Sequence, residues 1–259
     1  MITIKKQYIA LYTLIKHEYM RIIRIANQVF IPPIINSTLY ILIFGTIIGK
    51  QIGLINHNMN YSSFITPGLI IMSVIINSYN NVSSSLFNAR FQKNIEEILI
   101  SPMSDNLLLI GYTFGGILRG MIVSVLVYTV SCFFYFIPIK HLALTILIII
   151  LVSSIFSLTG FTNALLAKNF DDITIIPNFF LTPLTYLGGI FYTSNMLSNT
   201  WKTILYINPI FYMIKILRYA ITNNEEKNIN ISIFIICIII IVFFTINKIL
   251  LKKGIGLRN

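Results

Sequence analysis

Six apolar stretches, near residues 29–49, 63–86, 106–136, 142–166, 173–192 and 231–250, are separated by short polar breaks. Each is close to the roughly 20 residues that a helix needs to cross a bilayer. The third is long enough to begin below the membrane. Pro32-Pro33 fall where the first begins, a place that a helix start tolerates. Ahead of the first span, Tyr8, Leu11, Tyr12, Ile15, Tyr19, Ile22, Ile23 and Ala26 keep a helical stripe, with Lys16, His17, Arg21 and Arg24 off it. That pattern predicts a basic amphipathic helix lying in the headgroup plane, which also acts as a topology signal.

Between the second and third stretches the pattern changes. Phe91, Ile95, Ile98 and Leu99 recur at i, i+4, i+7 and i+8, with Lys93, Glu96 and Glu97 on the other side. The spacing predicts an amphipathic helix of about three turns. Ser101-Pro102 ends it, because the residue before a proline avoids the helical region. Ser104-Asp105 then supplies an N-cap and a first-turn acid for the next helix. A short two-faced helix between two spans is either a solvated loop or a piece that lies on a surface or docks into a partner's groove.

Residues 193–230 are ambiguous by hydropathy. Ile204–Ile221 would make a seventh span but for Asn208-Pro209, Lys215 and Arg218. Each cation at mid-membrane costs about 2.5–3.5 kcal/mol on the insertion scale. A seventh span would also move the basic C-terminal tail to the outer side. The segment 193–222 therefore reads as a helical hairpin dipping in from the outer face and broken at Asn208-Pro209, which is allowed where protein or water covers the backbone.

Composition agrees with a membrane protein: only 10% of the 259 residues are charged and the mean hydropathy is +0.82, against about 25% charged in soluble domains. The net charge of +11 reflects 8 acids against 19 Lys and Arg, and membrane flanks account for those cations without nucleic acid. With the N-terminus inside, twelve of them fall on the inner side, among them Lys5, Lys6, Arg90, Lys93, Lys252, Lys253 and Arg258. Six, including Lys50, Lys140 and Lys227, fall outside, and Arg119 lies within a span. The asymmetry favours two cytoplasmic termini. The first residues lack the apolar core of a cleavable signal. Cys132 and Cys237 lie in apolar runs and read as inert buried thiols.

Candidate chemistry is sparse. Ser73, Asn77, Asn80, Asn81 and Ser84 form a polar stripe on the second span, suited either to lining a wet pathway or to bonding another helix, including a dimer partner. The third span carries Gly111, Gly115, Gly116 and Gly120, two overlapping small-xxx-small patterns that let helices approach closely. Arg119 beside them contacts a pathway or an anion, or else snorkels and pairs with carbonyls. Asp171-Asp172 is an isolated acidic pair, more suited to a loop or a helix cap than to catalysis. His17, His57 and His141 have no metal-ligand spacing. Gly45 to Gln51 mimics a phosphate loop but lacks one spacer residue and has Gln in place of Ser/Thr. No catalytic or metal residues are assigned.

The whole chain resembles the ABC-2 type permeases, membrane subunits of bacterial ATP-binding-cassette exporters. The resemblance rests on Tyr40–Gly45, Phe64–Leu69, Ile95-Glu-Glu-Ile-Leu-Ile-Ser-Pro102, Ile110-Gly-Tyr112, Arg119-Gly120, Pro183–Tyr192, Asn208-Pro209 with Tyr212, and Arg218-Tyr219. It implies one all-α transmembrane domain over 1–259, with six spans, an N-terminal interfacial helix, a coupling helix and a re-entrant outer hairpin. It further implies a homodimer in the bacterial inner membrane with two separate ATPase subunits, which alone hold ATP and Mg. Phe91, Ile95, Glu96, Glu97, Ile98, Ser101 and Pro102 would then couple to the ATPase. Asn77, Asn80, Asn81, Ser84 and Arg119 would line the pathway or the dimer interface, and Tyr192, Asn208 and Pro209 would shape the hairpin. The chain departs from the family at Leu197-Ser198, where Leu-Pro is frequent, and at Asn223, near a usual glycine. Two other classes compete. A membrane-embedded lipid or prenyl transferase needs clustered acidic ligands, and a secondary transporter needs ionisable groups within its spans.

Overall fold

The computed structural model describes residues 2–55, 59–101, 103–223 and 229–256. His57, Pro102, Lys227 and Arg258 of the sequence reading lie outside them. Helix α1 (Ile2–Arg24) ends at a break on Ile25, and α2 (Ala26–Gln51) follows directly. Pro32 and Pro33 therefore sit inside α2 rather than at its start. The chain turns at Ile25 instead, so the helix begins nearly two turns before the prolines and accepts the loss of two backbone donors. It is π-wound over Ile41–Ile48. A two-residue antiparallel pairing of Leu54–Ile55 with Met59–Asn60 closes that end.

The remaining elements are α3 (Tyr61–Phe91), α4 (Ile95–Ile100), α5 (Asp105–Phe134) and α6 (Leu142–Leu166). Next comes α7, a continuous helical run from Phe170 to Tyr186 that is π-wound over Pro177–Leu181. The bent pair α8 (Asn199–Ile207) and α9 (Pro209–Thr222) precedes α10 (Ile229–Lys252). Helices α2, α3, α5, α6 and α10 are long and apolar enough to cross a membrane. At 1.5 Å per residue α7 reaches about 26 Å, the short limit for a span. It stops at Tyr186, not near residue 192, because the Gly188-Gly189 turn follows, with Gly189 at φ 79°. The protein is an all-helical, polytopic membrane protein.

Helix α3 is the centre of the bundle. Ile65, Ile71, Val74, Ile75, Tyr79, Val82 and Leu86 are fully buried along it, so neighbours surround it on every side. Helices α5 and α6 reach it through small residues. A side chain on Gly116 would overlap Ser157 and Val82, and one on Gly120 would overlap Ser153 and Ser78. The other glycine pair faces elsewhere: Gly111 and Gly115 receive Leu14 and Glu18 of α1. The two small-residue patterns therefore admit two different partners, one on each face of α5. By contrast α2 and α10 expose Ile31, Ile35, Phe234 and Ile241, as lipid-facing helices do.

The bundle has two distinguishable ends. At the first, Leu14, Phe87, Ile95, Leu165 and Leu251 share one buried cluster, which brings the helices of both termini to the α4 end. At the second, Tyr61 Oη donates to Phe191 O at 2.9 Å, and the amides of Lys140 and His141 donate to Ile221 O and Ala220 O. The bent pair α8–α9 thus leaves and rejoins the bundle at the same end, opposite α4.

Candidate functional site

Helix α4 is shorter than the periodicity predicts. Phe91 is the last residue of α3, and a turn at Gln92–Asn94 with Lys93 left-handed (φ 62°) separates it from α4. A non-glycine residue with positive φ breaks the helical register, so the face running from Phe91 to Ile95 is not continuous. Phe91 packs instead against Phe170, ring centroids 5.0 Å apart. Ile95 anchors α4 in the bundle at 2% exposure, while Glu96, Glu97 and Ile100 are exposed, Ile100 at 84%. Ser101 ends the helix in an extended conformation, and its hydroxyl donates to Ile98 O at 2.6 Å. Ser104 stands at the N-cap of α5 with no side-chain capping bond. A cleft of about 790 Å³ separates α1 from α4, with His17, Arg21 and Arg24 on one wall and Glu97, Gln92 and Asn88 on the other.

The polar stripe of α3 divides between two neighbours. Asn77 Oδ1 accepts from Arg119 Nη2 and Nε at 3.0 and 3.3 Å, and with Asn80 and Ser73 it borders a cavity of about 300 Å³ between α2, α3 and α5. Asn81 is fully buried on another side, where Arg21 of α1 donates to its side-chain oxygen at 2.8 Å and to its carbonyl at 2.9 Å. Ser84 donates back to Asn80 O at 2.6 Å within its own helix. Asn81 and Ser84 do not border this cavity, and Asn81 takes the other alternative, bonding a neighbouring helix, while Asn77, Asn80 and Arg119 are brought together. Successive helical residues are about 100° apart, and the angle between Asn80 and Asn81 is enough to turn them toward different neighbouring helices.

The contact that sequence reasoning missed is Glu18. It has no exposed surface, pairs with Arg21 at 3.0 Å, accepts from Ser85 Oγ at 2.5 Å and meets Asn81 Nδ2 at 3.4 Å. The face of α1 turned to the bundle is Leu14–Glu18–Ile22, not the tyrosine stripe; Tyr8, Tyr12 and Tyr19 point outward. Arg21, expected on the solvated side, belongs to the inward face because a carboxylate three residues earlier holds it there. An acid at i with an Arg at i+3 was the available signal. Burial pushes the Glu18 carboxyl up, but neighbouring His17, Arg21 and Ser85 outweigh it and hold the carboxyl below its ordinary 4.5. His17, 3.7 Å from Glu18, is raised above 6.5 chiefly by that carboxylate.

The signs define a pH window for α1. Glu18's contribution is present above 4.5 and is lost as pH falls through its depressed value. His17's contribution is complete below 6.5 and is lost as pH rises through its elevated one. The protection of α1 amides against exchange in detergent, corrected for the intrinsic pH dependence of the exchange rate, should accordingly be greatest near pH 5–6 and fall on either side. A flat profile from pH 4 to 9 would remove the role of the pair.

Asn208 makes the break in the bent pair. Its Oδ1 accepts from Ile210 N at 3.0 Å as the N-cap of α9, its Nδ2 donates to Leu184 O at 2.7 Å, and Pro209 takes the first helical position. The two helices meet at 85°, at the residues the sequence singled out. Tyr192 is half-buried in the connection ahead of α8. Asp172, the other acidic candidate, accepts from the amides of Lys168 and Asn169 and so caps α7. Among the described residues no group of three His, Cys, Asp or Glu is placed to hold a metal.

The match to known proteins covers all of these features. The family model described as ABC-2 type transporter matches residues 9–222. The chain belongs to the ABC-2 type transporter family. The inner membrane transport permease YadH of Escherichia coli (strain K12) is 41% identical to this ABC-2 chain over 252 residues, covering 97% of the chain and 98% of YadH. Nodulation protein J of Rhizobium leguminosarum bv. viciae is 18% identical over 219 residues, 84% of each protein. The ABC-2 match ends at Thr222, immediately before Asn223, which caps α9 in the left-handed region at φ 58° and whose Oδ1 accepts from His141 Nε2 at 2.9 Å. Asparagine tolerates that conformation better than other side chains, so the departure from glycine keeps the helix end intact.

Proposed function

We propose that the chain is the membrane-spanning subunit of an ATP-driven exporter, working as a homodimer in the bacterial inner membrane with two separate ATPase subunits. ATP and Mg belong to those subunits, and this chain carries no catalytic residue. In this reading the α4 end and both termini face the cytoplasm, the α8–α9 hairpin closes the outer end, and the cavity by Arg119 is part of the pathway. The observation that carries it is the build of α4: a six-residue helix anchored by Ile95, with Glu96, Glu97, Leu99 and Ile100 turned outward beside the α1 cleft. An apolar and acidic tip on a short helix is suited to a partner's groove with basic rims. ATP-driven closure of the partner subunits would then press α4 against the base of α3, and the two bundles would shift between inward- and outward-facing packings as rigid elements.

Co-purification with the candidate ATPase tests this. Glu96→Lys with Glu97→Lys should weaken association by about tenfold or more, since reversing interface charges sets like against like, while the protein still inserts. Unchanged association would remove the coupling role of those acids.

A further inference from the structure

A guanidinium within a membrane is costly unless something answers its charge. Arg119 is 8% exposed, and its Nε and Nη2 both donate to one neutral oxygen, Asn77 Oδ1. That arrangement orients one edge of the fork and leaves the charge uncompensated; among the described residues no carboxylate pairs with Arg119. The same side chain borders the cavity of about 300 Å³, whose polar walls besides Asn77 are Gln28, Asn36, Ser37, Tyr40, Ser73 and Asn80. These groups offer hydrogen bonds without formal charge, and no acid lines the space.

We propose that this cavity binds an anionic oxygen group, a phosphate on a lipid headgroup or on a free small molecule, with Arg119 as the charged contact and Asn77 as the residue that positions the guanidinium. Arginine presents a planar fork suited to two oxygens at once, and the edge away from Asn77 is the one left for the ligand. The volume lies at the lower limit of small-molecule sites, so the cavity takes one headgroup-sized moiety of a larger ligand. The surrounding amides and hydroxyls suit the polar groups that flank a phosphate. The inference deepens the exporter reading, on which it rests only for its meaning as a cargo or lipid contact within the pathway.

The test uses the purified full-length protein without any ATPase. In one arm, native mass spectrometry compares retention of phosphatidylglycerol with that of phosphatidylcholine. In the other, inorganic phosphate is titrated against thermal unfolding in detergent. Wild type should prefer phosphatidylglycerol by about tenfold or be stabilised by phosphate, and Arg119→Gln should lose that preference or shift. Asn77→Asp is the sharper variant, because it keeps the arginine and places a carboxylate on it. It should lower binding by about tenfold while the protein melts no earlier than wild type. Arg119→Lys should retain part of the binding. A response to the lipid alone assigns the site to a headgroup, and a response to phosphate alone assigns it to a soluble anion. No response to either probe in wild type, or responses equal in wild type and both Asn77→Asp and Arg119→Gln, overturns the proposal. With no ATPase present, that outcome is independent of the co-purification result.

Discussion

Arg21→Met lowers the stability of the detergent-solubilised protein by about 3–5 kcal/mol, the cost of leaving a buried carboxylate without its partner. Glu18 has no exposed surface and its carboxylate gathers Arg21 of its own helix with Ser85 and Asn81 of α3. Removing the guanidinium leaves that charge, between α1 and α3, with only the largely exposed His17 as a cationic neighbour, and also takes away both hydrogen bonds to Asn81. The protein can respond by protonating Glu18 or by releasing α1, and both cost free energy. The double variant Glu18→Leu, Arg21→Met removes both charges together and should recover most of the loss, since a buried pair contributes little net stability over apolar replacements of similar volume. Recovery should be incomplete because Asn81 and Ser85 lose partners as well. Thermal melts of the three proteins in one detergent decide the matter. A single variant that melts within a degree of wild type would mean that α1 is held by Leu14 against Gly111 and by the buried Ile22, without the pair.

What the sequence made legible follows from which forces act locally. Helix α6 runs over Leu142–Leu166, the bounds read from hydropathy, because an uninterrupted apolar run meets polar residues on both sides and nothing else decides its ends. The break at Asn208-Pro209 was legible for a similar reason. An N-cap side chain followed by a residue without an amide donor allows few backbone solutions wherever the segment lies. The α1 face was not legible. Tyr8, Tyr12 and Tyr19 lie exposed, as an apolar stripe does when it is turned to lipid, whereas in water the same stripe would mark the core. Its inward face is defined by Asn81 and Ser85, more than sixty residues away in sequence. The length of α4 was lost at one residue. Lys93 adopts a left-handed conformation that no periodicity of apolar positions reports, so Phe91 was counted on a helix that begins after it. The polar stripe of α3, open in the sequence between a pathway and a helix contact, divides in the structure between the cavity that Asn77 and Asn80 border and the α1 contact of Asn81, a division that spacing along one helix does not report.

Arg218→Gln unseats the bent pair α8–α9, with an expected cost of about 3 kcal/mol. Arg218 is buried on α9, its Nη2 donates to Gly189 O at 3.0 Å and its Nε reaches Phe64 O at 3.4 Å, while the guanidinium carbon stands 3.8 Å above the Phe64 ring. One side chain thereby joins α9 to the first turn of α3 and to the glycine turn that ends α7. A desolvated cation over an aromatic face contributes about 2 kcal/mol, and a charged hydrogen bond about 1.5–3. These terms overlap, so the expected cost stands somewhat below their sum. Glutamine keeps one donor but neither the charge nor the plane. Lysine keeps the charge on a single point and should lose about half as much, because it cannot serve ring and carbonyl together. The chain's single tryptophan, Trp201, lies exposed on α8 within the same bent pair, so its fluorescence reads the hairpin directly. Arg218→Gln should raise quenching of Trp201 by aqueous acrylamide and lower the melting temperature in parallel. The Asn208 cap remains in place in this variant, so α9 itself stays helical and far-ultraviolet dichroism should be unchanged. If quenching and melting both match wild type, the cation is not what seats the hairpin. The contacts of Ile210 and Ile214 against Gly188 would then have to hold it.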